Sequence, residues 1–488
     1  MRMINLKKTW PIAVGILLAG MMSCSEKEPA MTAERYRPRF HFTPPANWTN
    51  DPNGLVFYAG EYHLFYQHNP HGTTWGHMSW GHAVSTDLLH WEHLPIAIRE
   101  YPDPATGDST MVFSGTVVVD NNSSGLCTGP DCLVAIFTSH VHKGGAGLRQ
   151  HQSLAFSNDR GRTWQLYDKN PILDIQRKDF RDPKVFWHAA TSRWIMLAVV
   201  PDLFKVQFYA SANLREWNLL SEFGSAGDTA RIWECPDLFS LPVTNEAGTS
   251  KWALSLSGSH PQGPTYVGMQ YFIGDFDGTT FTTTQTQPRY VDYGKDFYAG
   301  IVFNNVADKS IMLGWVNNWA YANDIPTGSW RGAMSLPRML SLAPTPEGVR
   351  LKQEFWPIPD TLKMPIDWEE ISSGSFGLEA TLEDGGTLEL FKAETQTTQI
   401  HYENGQLSLD RLKSQPLHFH PLFSSRETVD IAGRPAAITL QVVVDQSIIE
   451  ILTADGLYAI TNQVFPETNG RIAINAKTRI AKSWQWRQ

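Results

Sequence analysis

The sequence predicts an all-β chain: a five-bladed β-propeller followed by a β-sandwich. Three observations predict it. From Phe40 to Leu351, short apolar runs alternate with clusters of Gly, Pro, Asn and Asp, and almost no 3.6-residue periodicity occurs. One loose element recurs there, in the stretches Ser85–Trp91, Ser157–Trp164 and Ser211–Trp217, with a degenerate copy at Asp277–Phe281. Each full copy has Ser, then Asp or Asn two residues on, then an aromatic that opens another strand. Their first residues lie 72 and 54 apart, a spacing that suits four-stranded blades with variable insertions, and the region has room for five. From Ser373 onward a period-2 pattern takes over, in Thr387–Phe391, Leu407–Leu409, Thr439–Val444 and Ile448–Leu452. On the repeats alone, a β-sandwich with similar turns is the alternative to the propeller.

Taken in order, the chain opens with a targeting segment over residues 1–23. Arg2, Lys7 and Lys8 precede the run Trp10–Met22, which is too short to span a bilayer. The run Gly20–Cys24 resembles a bacterial lipoprotein signal, which would make Cys24 the lipidated first residue of the mature chain; an ordinary secretory signal is the alternative. The polar stretch 24–38 then serves as a tether. Residues 39–351 are expected to form the propeller and 352–372, with Phe355–Pro359, a connector packed on it. Residues 373–488 form the sandwich, which is expected to have no chemistry of its own. The expected location is export with membrane attachment through the lipid alone, in the periplasm or at the cell surface, or secretion into the periplasm.

Composition agrees. A chain of 488 residues exceeds one typical domain, and 37 Gly, 30 Pro and 12% aromatics suit turn-rich β structure. The net charge of −9 gives no basic footprint for phosphate backbones, so nucleic acid is excluded as an expected partner. Cys127 and Cys132 flank a short loop and could pair in an oxidising compartment or stay as two buried thiols. Cys235 is left without a partner, beside Glu234.

The stretch His41–Pro70 is the one around which the chain is organised. Asp51-Pro52-Asn53-Gly54 fits a type I turn. The runs Leu55–Tyr58 and Tyr62–Gln67, split by Ala59-Gly60-Glu61, read as a hairpin. Pro52 biases Asp51 towards extended backbone and so fixes where its carboxylate points. The device recurs at Arg181-Asp182-Pro183 ahead of Val185–Trp187, and at Glu234-Cys235-Pro236-Asp237 ahead of Leu238–Leu241. Three acids far apart in sequence, each at a strand entrance, suit strands that radiate from one centre.

Three carboxylates in one site allow a division of labour: one protonated to release a leaving oxygen, one ionised to attack. The apolar neighbours Trp233, Ile232 and Cys235 suit a raised pKa for Glu234, whereas Arg181 is expected to keep Asp182 charged. Trp48, Trp75, Trp80, Phe113, Trp315, Trp319 and Trp330 are candidate platforms for sugar rings. These residues point to a propeller that cleaves or binds sugars.

The motifs around those acids resemble glycoside hydrolase family 32, the β-fructosidases (invertases, inulinases and levanases). The resemblance is carried by Asn47–Gly54, Phe65-Tyr66-Gln67, Trp75–His82, Phe113-Ser114-Gly115, Arg181-Asp182-Pro183, Glu234-Cys235-Pro236, Asp292–Ala299, Gly314–Trp319 and Met334–Arg338. It implies a central pocket and a retaining double displacement. Asp51 would be the nucleophile, Glu234 the acid and then the base, and Asp182 the group that grips ring hydroxyls. Trp48, Asn50, Gln67, Trp75, Phe113, Ser114, Arg181 and Trp319 would bind the substrate, and no metal or organic cofactor is implied. Thr49 departs from the Met usual in the first motif, which bears on pocket shape, and Thr116 stands where Ser is frequent. The crowd of His41, His63, His68, His71, His77, His82, His90 and His93 alternates with strand and loop signals and lacks metal-ligand spacing.

The expected activity is exo-attack on levan or inulin, and on sucrose, releasing terminal β-D-fructofuranosyl units. An endo-acting levanase and a non-catalytic fructan-binding propeller are the two alternatives. Linkage preference and oligomeric state are not legible in the sequence.

Overall fold

The computed structural model describes residues 34–487, apart from 130, 260–267 and 416–417. The targeting segment and Cys24 lie outside the described residues.

Five antiparallel sheets form the propeller. Their inner strands are Asn47–Tyr58, Ser109–Val119, Arg181–His188, Ile232–Pro242 and Tyr298–Val302, numbered here as blades 1 to 5. Each inner strand touches the next, and that of blade 5 touches that of blade 1, so the ring closes. A short parallel pairing of Trp330–Arg331 from blade 5 with Asn47–Trp48 fastens the closure.

Blades stack face to face, so their middle strands are buried on both sides. The strand Arg193–Val200 shows the consequence. Trp194, Met196, Ala198 and Val200 pack towards blade 2 with Val134, Ile136 and Leu154. Ile195, Leu197 and Val199 pack towards blade 4 with Leu254, Leu256 and Phe272. The strand alternates, but both faces are apolar, so its sequence reads as one continuous hydrophobic run. Similar seams join blades 4 and 5, 5 and 1, and 1 and 2.

The repeated Ser/Asp element is the connection from the third to the fourth strand of a blade. Ser85 Oγ accepts the Asp87 and Leu88 amides, and Asp87 Oδ1 accepts those of Leu89 and His90. Ser157 with Asp159, and Ser211 with Asn213, repeat the arrangement, and Asp277 caps Thr279 and Thr280. Leu88, Arg160, Leu214 and Gly278, one residue after the acid or amide, are all left-handed (φ 67°, 59°, 63° and 90°), a conformation these side-chain caps sustain. Blade 5 makes the corresponding turn at Thr345–Gly348, where Thr345 Oγ1 accepts the Glu347 amide. Without an Asp or an aromatic, that copy is invisible in the repeat.

The first motif folds differently from the turn expected of it. Asp51–Gly54 lies inside the continuous strand Asn47–Tyr58, and the hairpin turn is Ala59-Gly60 alone, with both φ positive (51° and 87°). Pairing with Glu61–Asn69 overrides the local turn preference, and the strand absorbs it as irregularities between Thr49 and Pro52 and between Asn53 and Val56.

Two sheets make the sandwich, one of six strands and one of five, around a shared apolar core that includes Leu378, Leu388, Ile400, Leu440 and Ile451. Residues 352–355, which the sequence reading gives to the connector, lie in the outermost strand of blade 5, Gly348–Phe355, fully paired to Arg338–Thr345. The strand Lys363–Pro365 already pairs with Trp484–Trp486 of the sandwich. Between them Trp356 packs on Tyr62.

Buried charges join the two domains. His41 is held between Asp445 (2.9 Å) and Glu450 (3.0 Å), and those two acids lift its pKa to about 9 against the opposing effect of burial. Arg338 bridges Asp292 (2.9 Å) and Glu450 (2.5 Å), all three side chains being shut off from solvent. Cys127 and Cys132 form a disulfide in the loop after the blade 2 inner strand, while Cys235 is free and buried.

Candidate active site

Each inner strand carries a bulge near its start. The register slips between Thr49 and Pro52, Val112 and Gly115, Arg181 and Lys184, Glu234 and Asp237, and Tyr298 and Ile301. A bulge bends a strand and re-aims the side chains at it. Here the five bulges ring the top of the central channel, and at them sit Asp51, Phe113 with Ser114, Asp182, Glu234 with Cys235, and Tyr298. Asp182 takes a left-handed φ of 61° and Cys235 one of 46°, rare for non-glycine residues and sustained by the surrounding contacts.

The bulges surround a cavity of about 410 Å³ lined by Asp51, Asp182 and Glu234, together with Asn50, Gln67, Trp75, Phe113, Ser114, Arg181 and Trp319. Beneath it, among Asn53, Gly115, Lys184 and Pro236, the channel narrows to a space of about 10 Å³, enough for about one water molecule. The cavity is therefore blind at its base.

The three carboxylates are linked. Ser114 Oγ donates to Asp51 Oδ2 (3.3 Å), and the Cys235 thiol lies 3.7 Å from that oxygen and 3.8 Å from Asp182 Oδ2. The Cys235 amide donates to Asp182 Oδ2 (3.0 Å). Arg181 donates to Glu234 Oε1 from Nε (3.1 Å) and Nη2 (2.9 Å), and the Tyr298 hydroxyl donates to Glu234 Oε2. Asp51 Oδ1 is buried and has no protein partner.

Burial sets the electrostatics. It pushes the Asp51 carboxyl up to about 7, with the charges of Glu234 and Asp182 adding to the rise. It also pushes Asp182 up to about 6, in spite of Arg181 pulling the other way. The expectation is that Arg181 keeps Asp182 charged, with no rise in its pKa. Instead its guanidinium faces Glu234, with Nε at 3.9 Å from Asp182, so it offsets only part of the desolvation. The Cys235 thiol is raised by burial and by the surrounding acids, so it stays protonated and serves as a weak donor.

Of the substrate-binding candidates, Asn50, Gln67, Trp75, Phe113, Ser114, Arg181 and Trp319 line the cavity and Trp48 does not. Trp48 is fully buried behind Trp319 and Trp315, and its Nε1 donates to Asn50 Oδ1 (2.7 Å), so it fixes the amide that does line the wall. Trp80, Trp315 and Trp330 are likewise fully buried. Thr49 is buried too, and its hydroxyl donates to the Gln67 carbonyl (3.0 Å) and so lies within the strand pair. Trp75, 41% exposed, stands at the rim edge-on to Phe113.

Four lining residues escape the sequence reading: His140, Gln150, Asp179 and Asn323. His140 stacks flat on Phe113, 4.4 Å between centroids, and burial lowers its pKa to about 4, so it is neutral near pH 7. Gln150 and Asp179 accept from Arg181 Nη1 (3.4 and 3.1 Å), and Asn323 Oδ1 accepts the Trp75 amide (3.1 Å). No motif contains His140, Gln150 or Asn323. Asp179 was within reach, two residues before Arg181.

Comparison with known proteins accords with this architecture. Residues 41–354 match the model for the glycosyl hydrolases family 32 N-terminal domain, and residues 352–484 the model for the family 32 C-terminal domain. A levanase of Bacillus subtilis is 40% identical over 491 residues, covering 93% of this chain and 70% of that protein. An extracellular exo-inulinase of Aspergillus niger is 37% identical over 490 residues, covering 89% and 90%. The crystal structure of the exo-inulinase from Aspergillus awamori superposes with a TM-score of 0.85 at 32% identity, covering 93% of this chain and 98% of that one.

Proposed function

The chain belongs to glycosyl hydrolase family 32, and on that premise we propose that it is an exo-acting β-fructosidase. It takes terminal β-D-fructofuranosyl units from levan or inulin, and from sucrose, by double displacement. The observation that carries the reading is the blind cavity with three linked carboxylates at its base. A pocket closed beneath its acids admits a sugar from the rim alone, and the relatives named as exo-inulinases support attack from the end of a chain.

Asp51 attacks the anomeric carbon while Glu234 gives a proton to the leaving oxygen; water, deprotonated by Glu234, then releases fructose. Asp182 holds ring hydroxyls and faces the positive charge that develops in the transition state. Asn50, Gln67, Ser114 and Arg181 supply the remaining polar contacts, and Trp75, Phe113 and Trp319 the apolar wall. The chemistry requires one proton among the three acids, with that proton on Glu234. In the free site Arg181 pairs with Glu234, and burial raises both Asp51 and Asp182, so the three acids titrate as one group and not as independent carboxyls.

We also propose that residues 1–23 direct export and that Cys24 carries a lipid. The basic start, the short apolar run and the Cys127–Cys132 disulfide support export. Incorporation of labelled fatty acid that disappears in Cys24→Ala would support the anchor; equal labelling of both would end it.

The test of activity is the product profile on levan, inulin and sucrose, followed by chromatography. Fructose as the sole product released from a polymer in the first minutes supports exo attack. A ladder of oligosaccharides would mean an endo enzyme, and silence on all three a binding module.

A further inference from the structure

No described residue of the sandwich lines the cavity, yet the sandwich reaches the cavity's wall. Arg411, on the sandwich strand Gln406–Lys413, is fully buried. Its Nη1 donates to Asp296 Oδ2 (2.5 Å) and to the Gln463 carbonyl (2.7 Å), and its Nη2 to the Tyr321 hydroxyl oxygen (2.7 Å). The Phe423 ring lies 4.1 Å from the guanidinium carbon, and the Tyr321 hydroxyl in turn donates to Asp296 Oδ1. Asp296 and Tyr321 belong to the propeller. One guanidinium thus grips two propeller segments at once.

Both segments run straight into the site. Two residues after Asp296 comes Tyr298, whose hydroxyl donates to Glu234 Oε2. Trp319 and Asn323, two residues before and after Tyr321, line the cavity. Trp319 packs edge-on to Tyr298, and Asn318 Nδ2 donates to the Lys295 carbonyl (2.7 Å), tying one segment to the other. Residues 317–325 contain neither strand nor helix. Beside the turn bonds from the Tyr321 amide to the Asn318 carbonyl (3.1 Å) and from the Asp324 amide to the Tyr321 carbonyl (2.9 Å), side-chain contacts at Asn318 and Tyr321 help to hold Trp319 and Asn323 in place.

We propose that Arg411 is a positioning residue for catalysis: through Asp296 and Tyr321 the sandwich sets the geometry of Glu234's hydroxyl partner, Tyr298, and of the Trp319 wall packed beside it. The inference rests on the role given to Glu234 above. A planar guanidinium suits it because its fork fixes two acceptors at a set angle, which an ammonium cannot do. The chemistry depends on distances of a few tenths of an ångström, and a displacement of about 1 Å at a reacting group costs about 100-fold in rate.

The competing role is simple cement between domains, and Arg350 supplies the control. Its Nη1 donates to the Tyr458 hydroxyl of the sandwich (2.8 Å), on the outermost strand of blade 5, away from the cavity. The experiment compares full-length Arg411→Met, Arg411→Lys and Arg350→Met, each confirmed folded by circular dichroism and assayed on sucrose and inulin well below its melting temperature. Arg411→Met is expected to lose about 10- to 100-fold in kcat, with a displaced basic limb in its pH profile. Arg411→Lys should recover part of the loss, and Arg350→Met should keep the wild-type kcat and profile. An Arg411→Met enzyme with wild-type kcat and pH profile overturns the proposal. If that variant does not fold, Tyr321→Phe, which removes only the bridging hydroxyl, carries the same test with the same two outcomes. Failure of the underlying reading would show separately, as normal turnover by Glu234→Gln.

Discussion

Asp51 should destabilise the fold that presents it, and replacing it by Asn should show how much. Its carboxyl is raised from an ordinary 3.8 to about 7 by burial and by two neighbouring acids. The folded state therefore holds its proton more tightly than the unfolded chain does. That contribution to stability is complete below about pH 3.8 and is lost as the pH rises through about 7. The displacement spans about 3 pH units, so at 1.36 kcal/mol per unit the charged Asp51 costs about 4 kcal/mol at pH 8. Asp51→Asn keeps the shape and removes the charge. It should be more stable than wild type by about 4 kcal/mol at pH 8, and by less than about 1 kcal/mol at pH 4. Denaturant unfolding of both proteins at the two pH values measures this directly. An equal gain at both values, or none at pH 8, would refute the claim that desolvation and mutual repulsion raise the carboxyl.

Other expectations follow from the same geometry. Asp51→Asn and Glu234→Gln should each lose at least about 100-fold in kcat with the fold intact, measured on sucrose; near-normal turnover by either would remove its role. The dependence of kcat/KM on pH should be bell-shaped, with its acidic limb set by the raised Asp51 and Asp182 carboxyls, at about 6 to 7, and its basic limb by loss of the Glu234 proton. Below the lower limb a second proton enters the carboxylate cluster and neutralises Asp51 or Asp182; above the upper one the last proton leaves and no acid remains. A flat profile from mildly acidic to neutral pH would contradict it. Trp75→Ala should raise KM for polymer more than for sucrose, because the exposed ring stands at the rim and not at the base. Arg338→Met should cost about 3–5 kcal/mol in unfolding measurements, since it leaves Asp292 and Glu450 buried without their cation.

The parts of this molecule legible in sequence are those where a residue's meaning is local. An acid close to a proline at a strand entrance marks three of the five bulges, and Ser with Asp or Asn two residues on marks three of the five outer turns, with Asp277 marking a fourth alone. A bulge itself belongs to a pair of strands, so Asp51–Gly54 reads as a turn until its partner strand is known. Burial is equally non-local. Trp48 and Trp75 look alike on paper, but neighbouring blades cover the first completely and leave the second at the rim. The wrong expectation for Asp182 has the same origin: Arg181 is adjacent in the chain, yet at the bulge its guanidinium bonds to Glu234 and stays 3.9 Å from Asp182. His140 and Gln150 project from the second and third strands of blade 2, in runs with no distinguishing pattern, and only the closed ring brings them to the cavity.

The central claim is that Asp51 attacks the sugar and Glu234 assists from the opposite side, which fixes the stereochemistry of the product. The most direct test is the anomeric form of fructose in the first minute of sucrose hydrolysis, read by NMR before mutarotation. The account predicts β-D-fructofuranose first, with the α and pyranose forms appearing later. Release of the α form at the outset would mean inversion, with water attacking directly, and Asp51 could not then be the nucleophile.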